Sequence, residues 1–302
     1  MTRAVVFAYH DVGVRCLKVL LAQGIEVPLV VTHEDNPAET IWFGSVAALA
    51  RENRIETLTP ENPNAPDIAG KVRQAQPDFL FSFYYRMMLA EALLSIPKRG
   101  AFNMHGSLLP KYRGRVPVNW AIIRGETQTG ATLHEMTVKP DAGRIVDQDS
   151  IPIGPDDLAI DVFRKVTGAA ERVLARSLPK LITGTAELRA QDLSQGSYFG
   201  GRKPEDGRID WTRPAKEVHD LVRAVAPPYP GAFTEFSGRN MRILRTRLAP
   251  EQRSHASSRF YVLNGRCYAG CAGGAAIELL EMELDGKPLS AQEFAGMLGQ
   301  SK

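Results

Sequence analysis

The chain has 302 residues, 44% hydrophobic and 24% charged, the balance of an ordinary globular protein built as one large or two moderate domains. Lys and Arg number 37 against 34 Asp and Glu, and the resulting charge of +3 is too small for a protein that works by coating nucleic-acid phosphates. Three cysteines, no secretory leader pattern and no apolar run of membrane-spanning length exclude a disulfide scaffold and a helical membrane protein, so a cytoplasmic location is expected.

In chain order, Ala4–Tyr9, Val27–Thr32, Phe79–Tyr84 and Ala101–Met104 are short apolar runs of the kind that form buried parallel strands. Amphipathic segments alternate with them. Val12–Gln23 is closed by Gly24, Ser45 caps a helix running to Asn53, and Pro117 opens a helix that Gly125 ends. This alternation predicts βαβ units and a Rossmann-like, mostly parallel sheet with helices on both faces. GATLHEMTV and IVDQDSIPI then alternate as two strands of a hairpin, joined by a KPDAGR loop. A long helix from Leu158 to Leu181 follows. The Gly-rich, charged stretch Gly196–Gly207 reads as a linker or ordered crossover, and Phe260–Leu263 and Ala276–Leu280 as strands of a smaller all-β domain.

Several chemistries lack their motifs. No G-x-G-x-x-G follows an early strand and no G-x-x-x-x-G-K-[ST] occurs, so neither an NAD cofactor nor P-loop chemistry is expected. His134-Glu135 opens like a zinc-binding HExxH, but Val138 fills the fifth place and the segment alternates like a strand. Cys267 and Cys271 have no further Cys or nearby His pair to complete a metal site. No metal is expected.

The segment Phe102-Asn103-Met104-His105-Gly106-Ser107-Leu108-Leu109-Pro110 carries the sharpest signal. Residues two apart on a strand share a face, so Asn103 and His105 point together beyond the strand's carboxyl end, where open α/β sheets bind ligands. Gly106 permits a sharp turn directly after the histidine. A lone histidine is as readily a hydrogen-bonded structural residue; the neighbouring Asn and Gly favour a functional one. Asp141, in the KPDAG loop, is by itself an ordinary turn former.

Asn103, His105, Ser107–Pro110 and Asp141-Ala142-Gly143 together resemble the strand end and D-x-G loop of the formyltetrahydrofolate-dependent formyltransferases. FAYHDVG at 7–13, FSFYYR at 81–86 and HGSLLPKYRGRVPVNWAI at 105–122 are similar to the branch formed by the formyltransferase half of the ArnA proteins, which formylates UDP-4-amino-4-deoxy-L-arabinose. FGGR at 199–202 and RAVA at 223–226 extend the similarity along the chain. The resemblance implies a catalytic domain over residues 1–200, which binds 10-formyltetrahydrofolate, and a C-terminal β-barrel-like (OB-like) domain over 201–302. It also implies work in lipid A modification and polymyxin resistance. The decarboxylase half of that family is not in this sequence, so the chain is read as a stand-alone enzyme or a fragment, coupled to a separate UDP-glucuronate decarboxylase.

The same resemblance implies catalysis by Asn103, His105 and Asp141. Asn103 would donate to the developing oxyanion, His105 would move a proton, and Asp141 would favour the imidazolium. It places the pterin near Met87, Met88 and Leu89, near Thr137, Val138, Lys139, Pro140 and Asp141, and near Arg115. Spacing alone favours core packing for Met87–Leu89, and Lys111, Arg113 and Arg115 are either solvated charges or anion ligands. Arg202 is a weaker candidate for the sugar nucleotide. The rival within the superfamily is methionyl-tRNA formyltransferase, to which the seven arginines from Arg239 to Arg266, set against Glu251 alone, could belong as a tRNA-facing patch. FAYHDVG and YRGRVPVNW fit the sugar-nucleotide branch better than the G-T-P-x-F and W-R-G-A-A-P patterns of the tRNA branch. No nucleic-acid partner is therefore expected, although a different nucleotide-linked amino sugar remains open as acceptor. A non-catalytic folate or nucleotide sensor is disfavoured, because a binding module has no need of a proton-transfer group.

Overall fold

The computed structural model describes residues 1–37, 39–253 and 259–300. The chain divides into two compact units: Met1–Pro117, Gln128–Ile151 and Arg164–Gly200 form the first, and Val118–Thr127, Pro152–Phe163 and Gly201–Lys302 the second. Two earlier segments group with the second unit, and hydrogen bonds join each to its main helix: Asn119 donates to Ala224 O at 2.8 Å, His219 Nε2 lies 3.0 Å from Pro155 O, and Arg223 donates to Asp157 O at 3.1 Å.

In chain order the elements of the first half are β1 (Arg3–Ala8), α1 (His10–Ala22), β2 (Glu26–Val31), α2 (Val46–Glu52), β3 (Glu56–Leu58), α3 (Pro66–Gln74), β4 (Phe79–Phe83), α4 (Glu91–Leu94) and β5 (Ala101–His105). They continue as β6 (Arg113–Gly114), α5 (Pro117–Ile123), β7 (Gln128–Glu135), β8 (Ile145–Pro152), α6 (Ala159–Thr183) and β9 (Tyr198–Phe199). The main sheet of the first unit runs β3-β2-β1-β4-β5-β7-β8, parallel through β5 and antiparallel between β5 and β7. β4 is buried along its whole length, which is why its sequence is a continuous apolar run rather than an alternating one. Its Leu80 joins Val5, Phe7, Leu29 and Val31 in a core cluster with Ala69 and Val72 of α3 and Leu93 of α4. α1 covers the opposite face, where a Cβ on Gly13 would lie 3.1 Å from that of Ala8. Each fully buried Val, Leu or Phe side chain contributes about 1.5–3 kcal/mol, so this two-faced packing holds β1, β4 and β5 firmly and fixes where their carboxyl ends emerge. Between β1 and β4 the strand order reverses direction, the switch point beyond whose strand ends open α/β sheets bind ligands.

The second unit contains α7 (Ala215–Val225), β10 (Ala232–Phe236), β11 (Arg239–Arg253), β12 (Phe260–Leu263), β13 (Arg266–Gly270), β14 (Ala275–Leu284), β15 (Lys287–Pro288) and α8 (Ala291–Gln300). Its sheet is antiparallel throughout, in the order β10-β11-β14-β13-β12 with β15 on β14. Arg242, Arg245 and Arg247 of β11 stand opposite Glu283, Glu281 and Glu278 of β14, and each arginine is ion-paired to its partner. Arg239 pairs with Asp285 and Arg266 with Glu278, while Arg259 lies over the Trp211 ring. The side chain of Arg253 lies outside the described residues. Among the described residues no helix is long and apolar enough to cross a membrane.

Candidate active site

β5 carries Asn103 and His105 on one face and ends at the histidine. Directly after it the backbone passes so near Tyr84 that a Cβ on Gly106 would come within 1.9 Å of the Tyr84 hydroxyl. Only glycine lets the two loops approach so closely. The loop beyond is held by Thr132 of β7, whose hydroxyl donates to Ser107 O at 2.6 Å while accepting from Leu109 N–H at 3.1 Å. Gln148 of β8 adds a bond to Leu109 O at 2.8 Å. So held, the loop returns the Tyr112 carbonyl to 2.8 Å from His105 Nε2.

Asp141 lies at the tip of the β7–β8 connection with φ of +50°, a left-handed conformation that costs energy for any residue other than glycine. Gly114 N–H donates to its Oδ2 at 2.8 Å. Its Oδ1 faces three side chains: His134 Nε2 at 3.4 Å, Asn103 Nδ2 at 3.5 Å and His105 Nδ1 at 3.6 Å. Burial on its own would raise the Asp141 carboxyl. The His105 imidazole, the bond and charge of His134 and the Gly114 amide outweigh it, and hold the group well below the usual carboxylate range. Asp141 is an anion at neutral pH.

These contacts decide the protons. Tyr112 O can only accept, so His105 Nε2 carries a hydrogen and Nδ1 is the nitrogen that gains or loses one, beside the Asp141 anion. His134 Nδ1 lies 2.7 Å from Glu135 O, and its Nε2 lies 3.2 Å from Asn103 Nδ2 and 3.4 Å from Asp141 Oδ1. The cluster therefore presents an oriented amide donor and a titratable imidazole edge next to a fixed negative charge. It can donate to an oxyanion and relay a proton. His134 is a site residue that the local sequence does not mark, since its only pattern there is an incomplete zinc motif. The signal was register: on β7 it stands opposite Asn103 of β5.

At the β1–β4 switch point, the loop after β2 is clasped to the sheet by side chains. Arg86 makes a two-pronged bond to Glu39, both contacts at 2.8 Å, and lies over the Tyr9 ring. His10 stacks on Phe43 with centroids 3.8 Å apart, and His33 stacks on Tyr85 at 4.1 Å. Burial first, then the Arg86 charge, lowers these imidazoles to about 3 for His10 and about 4 for His33, so both are neutral.

The residues expected near a pterin fall into two groups. Met87 and Met88 are exposed, as is Val138, and with Thr137, Lys139 and Pro140 they lie in irregular chain beyond β4 and β7. Exposed apolar side chains on these two loops are of the kind that suits the faces of a flat heterocycle. Leu89 differs: its side chain is 3% exposed within the core cluster, so only its backbone is available to a ligand. The long apolar run of β4 continues into this loop, and packing claims its last member. Lys111 and Arg115 are exposed, and Arg113 is half-buried. Arg202 belongs to the second unit, where it lies over Trp120 and donates to Asp206 O at 2.6 Å. All three cysteines are buried free thiols.

Two family models match the chain: Formyl transferase over residues 5–178 and Formyl transferase, C-terminal domain, over 202–298. Among solved structures, an N-formyltransferase from Helicobacter canadensis, described in complex with folinic acid and dTDP-3-aminofucose, is similar at a TM-score of 0.72 and 21% identity, over 92% of this chain and 99% of that one. WlaRD, a sugar 3N-formyl transferase, is similar at 0.71 and 20%, over 92% and 97%. Methionyl-tRNA formyltransferase from Clostridium thermocellum follows at 0.58 and 14%, over 94% and 99%. At these identities the likeness is one of fold. The family models cover most of both units, and the chain belongs to the formyl transferase family, whose one-carbon donor is a formyltetrahydrofolate.

Proposed function

We propose that the protein transfers the formyl group of 10-formyltetrahydrofolate to the amine of a nucleotide-linked sugar, with UDP-4-amino-4-deoxy-L-arabinose as acceptor. The first unit would perform the chemistry, in the cytoplasm, on a route to modified lipid A that lowers polymyxin binding, with a separate UDP-glucuronate decarboxylase upstream. The observation that carries the reading is the gathering of Asn103 and His105 within 3.6 Å of one buried carboxylate oxygen, Asp141 Oδ1. The FAYHDVG and YRGRVPVNW segments support the choice of acceptor.

In this mechanism the neutral sugar amine attacks the formyl carbon. Asn103 Nδ2 gives up its long contact to Asp141 and donates to the oxygen on which charge develops. His105 Nδ1 takes the proton that the attacking amine must lose and delivers one to the departing folate nitrogen, while Asp141 stabilises the imidazolium in between. His134 keeps the Asn103 amide turned toward the reacting carbon. Met87, Met88 and Val138 would cover the pterin faces, with Arg115 and the backbone of 137–141 along its edge.

The arginine-rich β11 does not favour tRNA as acceptor. Its charges are met across the strand by β14 carboxylates, which leaves little net field for phosphates. The test is to incubate the protein with 10-formyltetrahydrofolate and either UDP-4-amino-4-deoxy-L-arabinose or charged initiator tRNA. Release of tetrahydrofolate with the sugar nucleotide, with a formylated product by mass, is expected. Release with tRNA alone would overturn the assignment, and formylation of a different nucleotide-linked amino sugar would revise the acceptor only.

A further inference from the structure

The stretch after α6 has the composition of a linker, yet its backbone and side chains bind both loops that frame Asp141. Arg189 exchanges two backbone hydrogen bonds with Ile145, at 2.7 and 2.8 Å, where β8 leaves the Asp141 loop. Two residues on, Gln191 Nε2 donates to Asp141 O at 3.1 Å and to Gly143 O at 2.6 Å. Its Oε1 is buried and meets no hydrogen-bond partner among the described residues, so the donor end is what its position uses. Further along, Ser197 Oγ accepts from Tyr112 N–H at 2.8 Å, and Phe199 O accepts from Arg115 N–H at 2.9 Å. β9 thus pairs with β6, whose Gly114 N–H binds the Asp141 carboxylate.

We propose that Gln191 is a positioning residue for Asp141, and that residues 189–199 form a strap that sets the distance between Asp141 and His105. The inference rests on the reading that Asn103, His105 and Asp141 carry formyl transfer. Asp141 is held in a left-handed conformation that its own loop does not favour. Two hydrogen bonds to the carbonyls on either side of Ala142 resist its relaxation, and with it the drift of Oδ1 away from His105 Nδ1. Gln191 touches neither the reacting atoms nor the Asp141 side chain; it acts through the backbone.

Gln191→Met keeps the side chain's length and removes both donors. The expected result is a roughly tenfold fall in kcat, from misplacement of the Asp141 carboxylate, with KM for the sugar nucleotide nearly unchanged. In an Asp141→Asn background the same change should cost nothing further, because the residue acts through that carboxylate. Full additivity of the two losses would overturn the proposal. A second readout needs no substrate: the Asp141 carboxyl, followed by carbon NMR in the full-length protein, should titrate at higher pH in Gln191→Met than in wild type, and an unchanged midpoint would overturn the proposal even if no amine were ever formylated. Should Gln191→Met fail to fold, Ser197→Ala tests the strap at its other end. It is expected to lower kcat by a smaller factor and raise the Asp141 midpoint; no change in either would overturn the strap.

Discussion

Each unit holds an aspartate largely away from water, Asp220 buried and Asp141 partly so, and the two solve the same problem with different partners. Asp220, on α7, is 3% exposed and bound by Arg223 at 2.9 Å, itself 4% exposed, and by Lys216 at 2.6 Å. Asp141 instead meets two imidazoles, an amide and a backbone N–H. A guanidinium never gives up its charge, so the Asp220 network is permanent, and it ties α7 to the segments carrying Gly154 and Asp157. An imidazole can surrender its proton near neutrality. The comparison teaches that a buried carboxylate marks a reactive place when its counter-charges are removable, and a structural one when they are not.

The strongest way to break this contrast is to strand a charge. Asp220→Ala leaves Arg223 buried without its carboxylate and should cost about 3–5 kcal/mol, read as a lower urea midpoint, with kcat of the folded fraction unchanged. A fall in kcat without loss of stability would move Asp220 into the reactive class. Conversely, His105→Ala or Asn103→Ala should lower kcat by roughly a hundredfold or more while the melting temperature stays near that of wild type. Near-normal turnover in either variant would remove the proposed centre.

Asp141→Asn sharpens the contrast through pH. The folded carboxyl titrates below its ordinary value of 3.8, so the anion's contribution to stability is complete above that value and is lost as pH falls through the lower folded one. Wild type and Asp141→Asn should therefore differ in melting temperature at neutral pH and converge in strong acid. A constant gap down to the lowest accessible pH would contradict the assignment of charge. The smallest effect is expected on the ladder of the second unit. Arg245 and Glu281 are more than half exposed and 3.6 Å apart, so Arg245→Ala should change stability by less than about 1 kcal/mol and leave kcat untouched.

How far these regions could be read from the sequence follows the same division. Asn103 and His105 are two apart on one strand, with a glycine directly after, and local periodicity alone brings them to one edge. Asp141 became a candidate only through resemblance, because its αL backbone and its partners are supplied by chain far from it. Gln191 and Gly114 were illegible for the same reason: their roles consist of bonds to residues 27 to 50 positions away. β3 has three residues, too few for a pattern. α3 did carry a signal that went unused, a proline at its first turn and apolar residues at Ile68, Ala69 and Val72. The arginines between 239 and 266 form an unbalanced string in the sequence because the carboxylates that meet Arg242, Arg245, Arg247 and Arg266 lie on β14, out of sight of any local count.

The meeting of Gly106 and Tyr84 has a consequence for how this chain can change. A methyl group on residue 106 would collide with the phenol oxygen, and a shift of that ring would propagate to the histidine one residue back. Neither position is free to drift alone: Gly106→Ala should disable the enzyme, whereas shaving the oxygen off first, as Tyr84→Phe, should restore part of the lost turnover. Positions 84 and 106 would then behave as a single inherited unit.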